Sequence, residues 1–401
     1  MADYDLTSVS ELFKTVYGKL SEKIYNSENV LLSRVKKNFN FTGSDLKTTM
    51  PKGFGGSVGS GSLPTANTKS YLQMTVTPKK VYARLNIDRE SMMASKDDKG
   101  AFVRLLQESI KNTVESYARN MERILFSDGT AALGTMTSGA SGSGTVGSPY
   151  VVTISDATWK EANLEEDDYV NVGSGTDLFE ITSVEPSTKV INLVLISGSQ
   201  TISAGETSVI YMQGSKDNDP EGLEGTVGTA TGTKYGIDLA AERRWRSYRK
   251  DAGGAAISQD ILNDTVLQIH KKCGKYPNLC ITSYTQYVKI ANLLEDVKYM
   301  EVTPRDKELV GRIGFKAVDL QAGPARIPMV ISRFCADDDV WLLNDNFIEM
   351  MHRPGFGWFD DDGTVLLRQA DSDGYEARYG GYLQNVIKPA FQGQIHNLAT
   401  S

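Results

Sequence analysis

Apolar residues recur at intervals of three and four between Asp98 and Gly129. Val103, Leu106, Ile110, Val114, Tyr117, Met121 and Ile124 form one continuous stripe, the mark of a helix with one buried side. Phe102, Leu105, Leu125 and Phe126 widen it at both ends. Glu108, Lys111, Glu115 and Arg119 share the other side, spaced as ion-pair partners. Asp97 and Asp98 suit a helix start, and Ser127-Asp128-Gly129 a stop. The pattern predicts a helix over 98–126, about 42 Å long at the standard rise. Two readings are open: a long core helix, or a rigid strut to which several modules attach.

The same periodicities predict the surroundings. Leu12, Val16, Leu20 and Ile24 recur every four residues, and Ser8 with Glu11 matches a capping box. Residues 1–30 therefore read as an N-terminal arm whose apolar face packs on its own subunit or on a neighbour. Strand-like alternation covers Leu72, Met74 and Val76, then Val81, Ala83, Leu85 and Ile87, after the glycine-rich MPKGFGGSVGSGSLPT. Residues 31–88 thus read as a long two-stranded arm with a glycine-rich tip, burying little against its own domain. Ala132 to Tyr150 reads as a Gly/Ser linker. Strands are predicted at 151–154, 169–172, 179–184, 190–195 and 209–211, close together as in a small inserted barrel or sandwich. A mixed α/β pattern follows: a helix from Ser258 to Gly274, a strand at 279–282, and a helix capped by Ser283 and running through Leu294. Further strands are expected at 327–332 and 340–343. The rest reads as mostly β, with a C-terminal tail that has little to hold it.

Composition adds limits. The chain has 401 residues, 40% of them hydrophobic, and a net charge of −7. That leaves room for two or three domains and argues against a nucleic-acid-coating protein, which is normally basic. No apolar run is long enough to span a bilayer. The start MADYDLTSVSELFK lacks the features of a signal peptide, so a cytosolic origin is expected. The three cysteines, Cys273, Cys280 and Cys335, read as buried small hydrophobes in a reducing compartment.

Reactive chemistry is sparse. His270, His352 and His396 are far apart, and His270 with Cys273 and Cys280 lacks a fourth ligand. Asp217, Asp219 and Glu221 begin like a calcium loop, but Pro220 intrudes and Gly228 stands where the bidentate Glu belongs. A solvated acidic turn is expected there. The run from Gly228 to Lys234 resembles a phosphate loop only superficially. The acid runs 337–339 and 360–362 read as turns or solvated faces. No enzyme, cofactor or metal site is expected. Arg243, Arg244, Arg246, Arg249 and Lys250 surround Trp245 and Tyr248. Such a segment can follow a phosphate backbone or form a protein interface, and in an acidic chain the interface is favoured.

The order of parts, with TPKKVYARLNIDRESMMAS leading into FVRLLQESIKNTVESYARNMERILFSDG, and later DDDVWLLNDNFIEMMHRPG and DSDGYEARYGGYLQNVIKPAF, resembles the major capsid proteins of tailed bacteriophages. The resemblance implies an α+β, Hong Kong 97-like fold with a spine helix at 98–126. By it, residues 1–30 form the N-terminal arm, 31–88 the extended β-loop, and 89–135 with 336–401 the peripheral domain. An inserted barrel-like domain takes 136–215, and a connecting segment with the axial domain takes 216–335. It further implies self-assembly as pentamers and hexamers into an icosahedral shell around double-stranded DNA, in a virion built in the bacterial cytoplasm. Portal and scaffolding proteins are the implied partners, and no membrane is. The short segment before the loop leaves no room for a built-in scaffold. Expected inter-subunit contacts are Lys52, Phe54, Lys79, Lys80, Arg243, Arg244, Trp245, Arg246, Tyr248 and Arg249. The alternatives are an encapsulin-like nanocompartment shell, which would hold an enzyme cargo in place of DNA, and a phage tail or decoration protein.

Overall fold

The computed structural model describes residues 29–38, 45–52, 70–89, 99–203, 206–296, 319–322, 324–360, 363–369 and 373–400. The helix expected within 1–30 lies outside these through residue 28, as does the glycine-rich tip from residue 53. The long helix runs from Lys99 to Phe126, 28 residues. Through residue 108 only its backbone is described, so Phe102, Val103, Leu105 and Leu106 are not placed. Beyond that the stripe is buried as its spacing requires: Ile110, Val114, Tyr117, Met121 and Ile124 are each 2% exposed or less.

A five-stranded sheet packs on the helix. Its longest strand, Gly374–Ile387, pairs antiparallel with Lys79–Asp88 and with Ile348–Trp358, while Lys36–Asn38 adds in parallel. Tyr379 meets the spine's Tyr117 edge-on, with ring centroids 5.1 Å apart, a favourable aromatic geometry. At Gly380 a Cβ would sit 2.2 Å from the Val81 carbonyl oxygen, so only glycine allows this backbone approach.

The strand Lys79–Asp88 corrects the expected arm. Only Leu46–Lys52 and Ser70–Val76 form the two-stranded ribbon. Residues 79–88 belong to the sheet instead, because Val81 and Leu85 turn inward and are less than 9% exposed.

The second unit is a closed antiparallel barrel of six strands. Around it run Val209–Met212, Ala132–Ser141, Tyr150–Ile154, Val190–Ser197, Leu178–Glu185 and Tyr169–Val172. The supposed linker is therefore partly wrong: its first ten residues are a barrel strand. Leu133 and Met136 are buried there, and a Cβ at Gly134 would stand 2.8 Å from Ile154 Cγ2. The small residues fit close packing, not slack.

The third unit is a six-stranded mixed sheet in the order 248–251, 393–396, 340–343, 279–282, 325–331, 319–322. Helix Gln259–Cys273 has Ser258 as its cap, its Oγ accepting from the Ile261 N–H, and ends at Gly274 with φ 71°, as capping chemistry requires. The C-terminal tail is held after all: Gly393–His396 lies between two strands of this sheet. Gln392 and Gln394 look like surface residues but are buried and paired, Gln392 Oε1 accepting from the Asn344 N–H at 2.7 Å. The return segment 336–401 is thus shared between two sheets, with 340–343 and 393–396 in this one.

Candidate assembly surface

The ribbon has two unlike faces, because side chains alternate along a strand. Its inner face buries Met74 and Val76 against Tyr235, Ile237, Leu239, Trp245, Met351 and Val386. The Thr75 N–H donates to the Tyr235 carbonyl at 2.9 Å. Tyr235 is locked in turn, its hydroxyl donating to the Asn385 carbonyl at 2.7 Å. Burial pushes its phenol far above the ordinary value. The expectation of an arm with little purchase on its own subunit is corrected here at its base. The outer face carries Lys47, Thr49, Tyr71 and Gln73, all exposed, Tyr71 at 66%.

The sequence-predicted contact residues divide. Lys52 ends the first ribbon strand, paired with Ser70, and Phe54 lies outside the described residues. Lys79 Nζ donates to the Asp217 carbonyl at 2.9 Å, fastening the ribbon's base to the turn after the barrel. Lys80 is exposed, 5.9 Å from the centre of the Tyr382 ring. Arg243 and Arg244 are exposed. Arg246 donates to the carbonyls of Leu239 and Ala240, closing its own turn. Arg249 Nε donates to Gln394 Oε1 at 3.1 Å, and Tyr248 packs on the core of the six-stranded sheet. Trp245 is the clear correction. It is only 5% exposed, inside its own subunit beneath the ribbon, so it supports the arm from below instead of touching a neighbour.

Sequence reasoning missed the charged groups at the spine. Glu122 is buried, and its two carboxylate oxygens accept the N–H groups of Leu31 and Leu32 at 3.0 and 2.8 Å. Burial lifts its pKa to about 7 although both hydrogen bonds oppose the rise. Arg123 pairs with buried Asp219 at 2.7 Å, and Lys234 with Glu221 at 2.7 Å. The acidic turn is therefore solvated only in part: Asp217 is exposed, while Asp219 bolts the connecting segment to the spine. Asp339 departs from expectation in the same way, buried, with its carboxyl lifted to about 8 by desolvation and by Glu224. The only forewarning in the sequence was an acid, Glu122, set among Met121, Ile124 and Leu125.

Among the described residues, no group of three His, Cys, Asp or Glu is placed to hold a metal ion. His270 stacks on Tyr276 at 4.0 Å, and Cys280 is buried. No described helix is long and apolar enough to cross a membrane. What the geometry offers is mechanical: a strut, a closed barrel, and a supported ribbon with one free face.

Known proteins give this arrangement its class. Residues 191–357 match the sequence model of the SU10 major capsid protein family. The capsid asymmetric unit of cyanophage A-1(L) has a similar fold, with a TM-score of 0.54 at 12% identity over 91% of each chain. A mycobacterium phage protein, from phage Bobi, gives a TM-score of 0.43 at 9% identity over 98% of this chain and 99% of its own. An encapsulin complex from Synechococcus elongatus gives 0.44 at 7% identity over 94% and 90%. No curated protein matches the chain. The family match covers less than half of the chain, and the cyanophage likeness is one of fold. The fold is of the Hong Kong 97-like type shared with that cyanophage capsid chain.

Proposed function

We propose that copies of this chain assemble as pentamers and hexamers into an icosahedral shell that encloses a double-stranded DNA genome. Portal and scaffolding proteins act as separate partners, and the chain performs no catalytic step. The observation that carries this reading is the ribbon: a sheet face held from beneath by its own subunit and left free on top. A closed shell requires one chain to repeat heterologous contacts, and a supported arm supplies such a contact without a large flat interface. Many weak copies of it add up. The net charge of −7 keeps the shell from trapping its own cargo.

The test is expression of the full chain, followed by size exclusion and electron microscopy. Closed polyhedral particles, or rings of five and six, are expected. A protein that stays monomeric both alone and with scaffolding proteins co-expressed would contradict the reading.

A further inference from the structure

Two basic segments, separate in the chain, meet on one surface. Residues 243–250 hold five Lys or Arg and residues 270–275 hold three, with no Asp or Glu in either. Glu242 and Asp251 flank the first. The second closes helix Gln259–Cys273 and its turn, where Lys272 Nζ donates to the carbonyl of Arg246 and, at 3.2 Å, to that of Ser247. The overall acidity of the chain lies elsewhere. Residues 132–212, the barrel, hold ten Asp or Glu and two Lys or Arg, an excess larger than the net −7 of the whole chain.

Part of the patch is spent inside the subunit. Arg246 closes its own turn, Arg249 holds Gln394, and Lys272 joins the two segments. Arg243, Lys271 and Lys275 are exposed and Lys250 is partly so, and these four make no ion pair among the described residues. The aromatic side chains that would anchor a protein partner are turned away. Trp245 is buried beneath the ribbon, and Tyr248 packs on the core of the six-stranded sheet. Protein interfaces concentrate Trp, Tyr and Arg and are depleted of Lys. A surface of free Lys and Arg with its aromatics inside suits a phosphate backbone instead, where each cation neutralises a phosphate and releases a counterion.

We propose that this patch, through Arg243, Lys250, Lys271 and Lys275, binds the phosphate backbone of double-stranded DNA without reading its sequence. That the polyanion is DNA rests on the shell-forming reading; the patch itself does not. So few phosphate contacts give weak, salt-sensitive binding, and DNA held this way stays free to slide.

The experiment measures fluorescence anisotropy of two labelled duplexes of unrelated sequence with the unassembled full chain. Both duplexes are expected to bind equally, and to lose on the order of a hundredfold in affinity between 50 and 200 mM salt, as about four phosphate contacts require. Lys271→Ala and Lys275→Ala are each expected to weaken both duplexes alike and to lower the slope of log affinity against log salt by about one. Lys271→Arg and Lys275→Arg should keep the parent's affinity. A parent chain that leaves both duplexes unbound at low salt overturns the proposal, as does a Lys271→Ala, Lys275→Ala double variant that binds like the parent. Competition by poly-glutamate equal to that by unlabelled duplex also overturns it, and would make the patch a dock for an acidic protein. DNA binding by a chain that never forms closed particles would keep the patch and sink the shell reading; closed particles from a chain that ignores DNA would do the reverse.

Discussion

The barrel and the arm are both antiparallel β-structure, yet they are held in opposite ways. The barrel closes on itself, so none of its strands is left as an edge, and its core comes from residues 133–210 alone. The arm has two strands, and the apolar partners of Met74 and Val76 come from residues 235–245 and from the strands holding Met351 and Val386. A two-stranded ribbon is marginal in water. This one is stable only where distant parts of the chain provide a floor. A module with its own core tolerates change around it. An element with a borrowed core can be steered by its supports.

The comparison can be broken hardest from the barrel side. Phe179 is fully buried there, and Phe179→Ala is expected to cost about 3–5 kcal/mol. Hydrogen exchange should show that loss in the barrel amides, with the spine and six-stranded sheet unchanged. Equal losses throughout would mean the barrel is not energetically separate. On the arm side, Trp245→Ala removes the largest part of the floor and is expected to cost about 3 kcal/mol. Proteolysis within 46–76 should accelerate while barrel exchange stays the same. Trp245→Phe should recover most of the loss, since the indole Nε1 is buried with no hydrogen-bond partner among the described residues.

A smaller effect comes from Glu122, which ties the segment before the arm to the spine. Its pKa rises from 4.5 to about 7 on folding, chiefly by desolvation. The folded state therefore holds the proton more tightly, and stability falls as pH rises from about 4.5 to about 7. The change is at most about 3 kcal/mol, read from urea midpoints at pH 5 and pH 7.5. Glu122→Gln should flatten it only in part, because Asp339, lifted to about 8, contributes with the same sign. The smallest effect sharpens the picture by contrast. Lys111 and Glu115 form an exposed i,i+4 pair at 3.4 Å, so Glu115→Gln should shift stability by no more than about 0.5 kcal/mol.

The sequence made some of these parts legible and hid others for physical reasons. The spine was readable because a stripe this long has few competing explanations, and the barrel strands because alternation at period two is unambiguous between turn residues. Strand Ala132–Ser141 was hidden because glycine and serine at a close-packed barrel wall look like a linker. Gly393–His396 was hidden because buried, hydrogen-bonded glutamines look like surface residues. Of the candidate contact surface, the basic and aromatic composition of 243–250 was visible, but not that Trp245 faces inward. That depends on a pairing across more than 150 residues, between Met74 and the segment that supports it. The Glu122 and Arg123 partners were unreadable for the same reason: both lie about 90 residues away in the chain.

The central claim, that the barrel is self-sufficient and the arm is completed by a neighbour, is tested most directly by hydrogen exchange on the isolated subunit and on assembled particles. The account predicts that the amides of Ile181, Ile191 and Leu193 are equally protected in both states. The amides of Leu46–Lys52 should gain protection only on assembly. Ribbon amides as protected in the isolated subunit as in the particle would contradict it.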